Sequence, residues 1–129
     1  HEVGVAFREF SRVLNDDGFA IITCPDLQSV AALIADDKLL DTAYVSPAGP
    51  ITPLDILFGH RASMERGNLY MAHHVGFTQK VLAGTLKSAG FGAVATVRRP
   101  EKFDLWSFAM KRSVSEEELR TSAQKYLGV

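Results

Sequence analysis

The block Phe7 to Asp26, FREFSRVLNDDGFAIITCPD, narrows the possible folds more than any other stretch of the chain. Val3, Ala6, Phe7, Phe10, Val13 and Leu14 recur at the spacing of one helical face, while Glu2, Arg8, Glu9, Ser11 and Arg12 occupy the other. Asp17-Gly18 breaks that helix, with glycine supplying the backbone freedom of a tight turn. Phe19 to Cys24 then runs without any alternation of apolar and polar residues, which predicts a strand buried on both faces under flanking helices. Pro25-Asp26 stops it. Strand ends of this kind are where α/β proteins place their sites.

Beyond this block the pattern stays mixed. Asp26 can cap a second helix whose face would carry Leu27, Val30, Ala31 and Ile34, with Asp36-Asp37 opposing the dipole at its end. Residues 41–68 hold Pro47, Pro50, Pro53, Gly49, Gly59 and Gly67, a stretch too punctuated for regular structure except a short helix start at Thr52-Pro53-Leu54-Asp55. Its apolar residues predict packing, so it reads as an irregular cover over a site. Thr78 to Ala89 is a well-marked helix: Thr78 caps it, Phe77 can staple to Leu82, and Gly90-Phe91 predicts a Schellman ending. Two strands follow, Ala93 to Arg98 and Leu105 to Met110, and residues 113–129 close the chain as a helix with Ser115 and Glu118 as capping box. Trp106, Phe108 and Met110 alternate as a core face does, and Arg98 and Arg99 are expected to meet solvent or Glu116 to Glu118.

Arg12-Val13-Leu14-Asn15-Asp16-Asp17-Gly18 leading into Phe19 to Cys24, then Gly76-Phe77-Thr78, then Leu86-Lys87-Ser88-Ala89-Gly90-Phe91 through to Met110, together resemble the second half of class I S-adenosylmethionine-dependent methyltransferases of the small-molecule type. The resemblance implies an α/β fold: the C-terminal half of a Rossmann-like methyltransferase domain, one partial domain over residues 1–129. It implies a small mixed sheet with flanking helices, in which Leu105 to Met110 lies antiparallel between Phe19 to Cys24 and Ala93 to Arg98. It also implies an enzyme, S-adenosylmethionine as cofactor, and a small-molecule acceptor. The family's Gly-rich loop and ribose-binding acid have no counterpart here, so the chain alone is expected to be inactive and to lack cofactor-binding residues. The pattern is already under way at His1, which reads as a trimmed start.

Composition excludes several classes. A net charge of −1 argues against a nucleic-acid surface, and no apolar run reaches the length of a membrane span. The single cysteine, Cys24, predicts a small core side chain rather than a nucleophile, and a reducing cytoplasmic location. Hydrolase and kinase motifs are absent. Candidate substrate-binding residues are therefore those near the strand end and the cover: Asp26, Tyr44, His60, Tyr70, His73 and His74. A histidine there could deprotonate an acceptor, and Tyr44 and Tyr70, with Phe58 and Met71, could wall an apolar pocket. Each has a plainer role open to it: loop anchor, backbone partner or, for Asp26, helix cap. Adjacent His73 and His74 do not suit a metal, so none is expected.

An alternative function is a non-catalytic α/β module derived from the same fold that oligomerises or holds a partner. The strand Phe19 to Cys24 has a neighbour on one side only, and its open edge predicts a homodimer, or pairing with a separate N-terminal half.

Overall fold

The computed structural model describes residues 2–128; His1, and Val129 at the end of the expected closing helix, lie outside the described residues. The elements run α1 (Glu2–Val13), β1 (Phe19–Pro25), α2 (Leu27–Ala35), β2 (Tyr44–Ser46), β3 (Gly49–Ile51), α3 (Pro53–Phe58), α4 (Arg61–Glu65), α5 (Gln79–Ser88), β4 (Ala93–Arg99), β5 (Asp104–Met110) and α6 (Glu116–Leu127), with short 3-10 turns at Leu69–Met71 and Pro100–Lys102. The main sheet has the order β1-β5-β4, with Ile22 opposite Ser107 and Thr96 opposite the same residue. The central position of β5 is as the sequence predicts. The sheet is not mixed, however: both pairings are antiparallel, and among the described residues the one parallel contact at β1 is a single bridge from Asp26, just past its end, to Phe77.

Alternation divides the sheet's residues between two cores. Ala20, Ile22, Cys24, Leu105 and Ala109 pack with Phe7, Phe77, Leu82, Leu86 and Phe91 on the side of α1 and α5. Phe19, Phe108, Met110 and Ala93 pack with Leu119, Ala123 and Leu127 of α6 on the other. Tyr126 stacks on Phe108 at 5.6 Å. Contrary to the sequence reading, β1 is not buried on both faces. It is an edge strand, and Ile21 is 41% exposed. The Gly18 carbonyl accepts from Lys111 and the Asp26 amide donates to Phe103. By antiparallel alternation, the amides of Phe19, Ile21 and Thr23 therefore face the open edge. Pro25, with no amide hydrogen, suits such an edge.

Helix faces also rotate from their expected positions. In α1 the core takes Val3, Phe7 and Leu14 together with Ser11, whose hydroxyl donates to the Gly90 carbonyl at 3.3 Å, while Phe10 and Val13 stay exposed. In α2 the buried residues are Ser29 and Val30, and Ala31 and Ile34 turn outward. The ends of α5 form as the sequence predicts. Thr78 accepts from Val81, Phe91 donates to Leu86 and Gly90 to Lys87, with Gly90 at φ 102°. In α6 Ser115 caps Glu118, but the Glu118 carboxylate pairs with Arg112 instead of closing the box.

Residues 41–68 are more regular than the sequence suggests. They form the β2–β3 hairpin, α3 and α4, because Pro47, Gly49, Pro53, Gly59 and Gly67 fall at element ends or turns where they cost little, and Pro50 lies within a two-stranded hairpin. Val30, Ile51 and Ile56 give the segment its own small core against α2.

Candidate functional site

The C-terminal end of β1 opens onto a cleft of about 360 Å³ roofed by the cover segment. Pro25, Tyr44, Ile56, Met71, His60 and His73 line it. Two smaller recesses, of about 290 and 200 Å³, adjoin it through the shared Pro25 and Ile56, one reaching Phe103 and Trp106 and the other Cys24 and Phe77.

Local chemistry holds the roof in place. Thr52 and Asp55 form a reciprocal capping box at the start of α3, with Pro53 at its first turn. Arg61 closes the arrangement by donating its backbone amide (3.2 Å) and Nε (2.9 Å) to Asp55 Oδ1. Gly59 has φ 105°, and a Cβ there would sit 1.9 Å from the Met71 carbonyl oxygen, so only glycine permits this crossing. The same crossing lets the His73 amide reach the Phe58 carbonyl at 3.0 Å. Tyr44 comes from β2, and its ring lies beside Phe103 at 6.2 Å, nearly parallel.

Two histidines meet in the cleft. His73 Nδ1 lies 2.8 Å from the Ile56 carbonyl oxygen. A carbonyl only accepts, so Nδ1 carries the hydrogen in the neutral ring and Nε2 presents its lone pair. His60 Nδ1 is 2.7 Å from Ser63 Oγ, with both side chains lining the cleft. The arrangement offers a hydrogen-bond acceptor, a hydroxyl and apolar walls.

Three carboxylates surround the strand end, and each is matched by an arginine. Asp26, wholly buried, accepts from the Gln28 amide (3.1 Å), the Ser29 hydroxyl (2.5 Å) and Arg98 Nε (2.7 Å). Burial alone would raise its pKa, but the Ser29, Arg98 and Gln28 hydrogen bonds outweigh that and hold it below the ordinary value. Asp55 behaves alike: burial opposes ionisation, yet Arg61 and Thr52 hold its carboxyl well below the usual carboxylate range. Asp104 takes Arg99 Nε at 2.8 Å, and that guanidinium lies over the Trp106 ring at 4.7 Å. Arg98 and Arg99 thus pair with Asp26 and Asp104, not with Glu116 to Glu118, because the strand pairing and α2 bring those carboxylates within reach of them. Burial, then the Asp26 and Asp104 charges, pushes the Cys24 thiol up to about 11, which suits a core side chain. Burial and the nearby Asp104 and Asp55 raise the Tyr44 hydroxyl as well.

Of the candidates read from sequence, the structure brings together Tyr44, His60 and His73, with Met71 beside them. Asp26 is the helix cap, its acceptor capacity filled from within the chain. Tyr70, fully exposed, and Phe58, 55% exposed, do not line the cleft. His74 lines a separate recess of about 200 Å³ with Glu2 and Val3. Asp55, read from sequence only as the acid of a helix start, and Ser63, not singled out there, also line the cleft. The Thr52-x-x-Asp55 spacing signals the first as a capping box, and Ser63 three residues after His60 is legible only once α4 is known. Among the described residues, no three His, Cys, Asp or Glu side chains gather as metal ligands would, and no helix is long and apolar enough to cross a membrane. No known protein family, curated protein or solved structure matches the chain.

Proposed function

We propose that the chain is the C-terminal half of a class I S-adenosylmethionine-dependent methyltransferase, and that the cleft beneath the cover segment receives a small-molecule methyl acceptor. One observation carries the reading: β5 runs reversed between β1 and β4, and the C-terminal end of β1 opens onto the cleft. Open α/β sheets bind their ligands at such strand ends.

The residues present do not fit the methyl donor. Asp26, the acid ending β1, has its carboxylate filled by three internal donors. Gly76 does not form a cradle for the donor's ribose or carboxylate, since a Cβ there would meet the Leu27 side chain at 2.6 Å. The chain's contribution in this reading lies on the acceptor side, where it binds and orients the molecule to be methylated.

The test is a longer polypeptide that includes whatever is encoded ahead of residue 1, incubated with methyl-labelled S-adenosylmethionine and a small-molecule extract. Label transferred to a small molecule, and lost when residues 41–68 are deleted, supports the reading. A start codon directly ahead of residue 1, with no Gly-rich strand–turn–helix upstream, overturns it.

A second reading, a non-catalytic module that assembles into a homodimer, is favoured by the outward amides of Phe19, Ile21 and Thr23 and the exposed Ile21 side chain. Sedimentation equilibrium distinguishes the two: a native dimer that Ile21→Lys converts to monomer supports it, and a native monomer at micromolar concentration removes it.

A further inference from the structure

We infer that the cleft selects a planar, uncharged molecule carrying a single hydrogen-bond donor, of the phenol class, whose hydroxyl donates to His73 Nε2. The inference rests on the acceptor-pocket reading above and adds the class of molecule bound.

Three features combine. The first is the fixed tautomer of His73: its Nδ1–H is committed to the Ile56 carbonyl at 2.8 Å, so the nitrogen left for a ligand is an acceptor and asks for a donor. Second, charge around the strand end is balanced locally. Asp26 pairs with Arg98, Asp55 with Arg61 and Asp104 with Arg99, at 2.7, 2.9 and 2.5 Å. Asp55 is the one carboxylate lining the cleft and Arg61 occupies it, while Lys102 lines only the adjoining recess, so a carboxylate ligand seated in the cleft would lose its hydration without gaining a partner there. Third, much of the wall is flat or apolar, with Ser46, Asp55, His60 and Ser63 as its other polar residues. Ile56, Met71 and Tyr44 face the same space, and a volume of about 360 Å³ falls at the small end of ligand pockets. Such walls favour a ring, whose burial is driven by apolar area while its one polar group meets the imidazole.

Other features carry less. The groove between α6 and β4, lined by Ala95, Val97, Leu119 and Ala123, presents apolar walls with no group that would orient a ligand. The Cys24 thiol is pushed far from reactivity by burial.

The experiment is a titration of the isotope-labelled chain, followed by its imidazole nitrogen resonances, with 4-methylphenol, toluene and 4-methylbenzoate. These probes share a ring and differ in the polar group. The expected result is that 4-methylphenol moves the His73 Nε2 resonance along a saturating curve, while toluene and 4-methylbenzoate bind roughly three- to tenfold more weakly, as one net hydrogen bond implies. In His73→Phe the advantage of 4-methylphenol should vanish, with toluene binding at least as tightly, because the phenol hydroxyl then loses water without gaining an acceptor. Toluene binding the native chain as tightly as 4-methylphenol, tighter binding of 4-methylbenzoate, or no His73 response up to the solubility limit each overturns the inference. The native comparison decides by itself if His73→Phe does not fold. No methyl donor is present in the titration, so its failure refutes the ligand class without touching the methyl-transfer reading, which stands or falls on the labelling experiment.

Discussion

Asp26 is the residue whose removal should cost most for its size. Its carboxylate is wholly buried and serves at once as the cap of α2, the acceptor for Ser29 and the partner of Arg98, linking α2 to β4 across 72 positions of sequence. In Asp26→Ala the lost cap costs about 1 kcal/mol. The buried Ser29 hydroxyl left without its acceptor adds about 1–2 kcal/mol. Arg98 is 27% exposed and can turn toward water, so the lost pair adds less than a fully buried one would, about 1 kcal/mol. The expected total is about 3–4 kcal/mol. In urea, with m about 1.5 kcal/mol/M, the unfolding midpoint should fall by about 2 M at unchanged m. Asp26→Asn keeps an oxygen able to cap and should lose roughly half as much. The pH dependence has a definite sign. A carboxyl held below its unfolded value stabilises the fold above pH about 4, and that contribution is lost as the pH falls through the lower folded value. Asp55 adds to the loss in the same direction. The native midpoint should therefore drop between pH 5 and about 2, and more steeply than in Asp26→Asn. A loss under about 1 kcal/mol for Asp26→Ala, or acid curves of equal steepness in the native chain and Asp26→Asn, would refute the assignment of Asp26 as a charged structural hub.

Three further outcomes follow from the same geometry. S-adenosylmethionine titrated into this chain by calorimetry should show no tight binding, and a dissociation constant in the micromolar range or below would contradict the account of Asp26 and Gly76. Cys24, with its thiol pushed up to about 11, should hold roughly 100-fold less thiolate at neutral pH than an ordinary cysteine; modification by a disulfide reagent at the rate of a free thiol would show otherwise. Gly59→Ala places a Cβ against the Met71 carbonyl at a positive φ and should cost about 2 kcal/mol or more, with faster hydrogen exchange confined to the cover segment. Unchanged exchange there would remove the proposed pinning of 59 against 71–73.

Local physics wrote part of this structure directly into the sequence. Thr78 and Gly90 fix the ends of α5, Thr52-Pro53 starts α3, and the apolar run Phe19 to Cys24 makes a strand, because caps, turns and strand propensity act over a few neighbouring residues. Asp26 reads as a cap for the same reason. What the tertiary structure alone decided is long-range. The side of α1 that meets the core depends on where Gly90 lies, so Ser11 is buried and Phe10 is not. The partners of Arg98 and Arg99 depend on the register of β4 against β5 and on the proximity of α2, not on the acidic residues nearest in sequence. The cleft is of the second kind as well. Tyr44, His60 and His73 are separated by loops and short helices, and they meet only because Gly59 lets the cover segment cross itself at Met71 and hands the Ile56 carbonyl to His73. A one-dimensional pattern carries residue types and spacings; which side chains share a space is set by the path of the backbone between them.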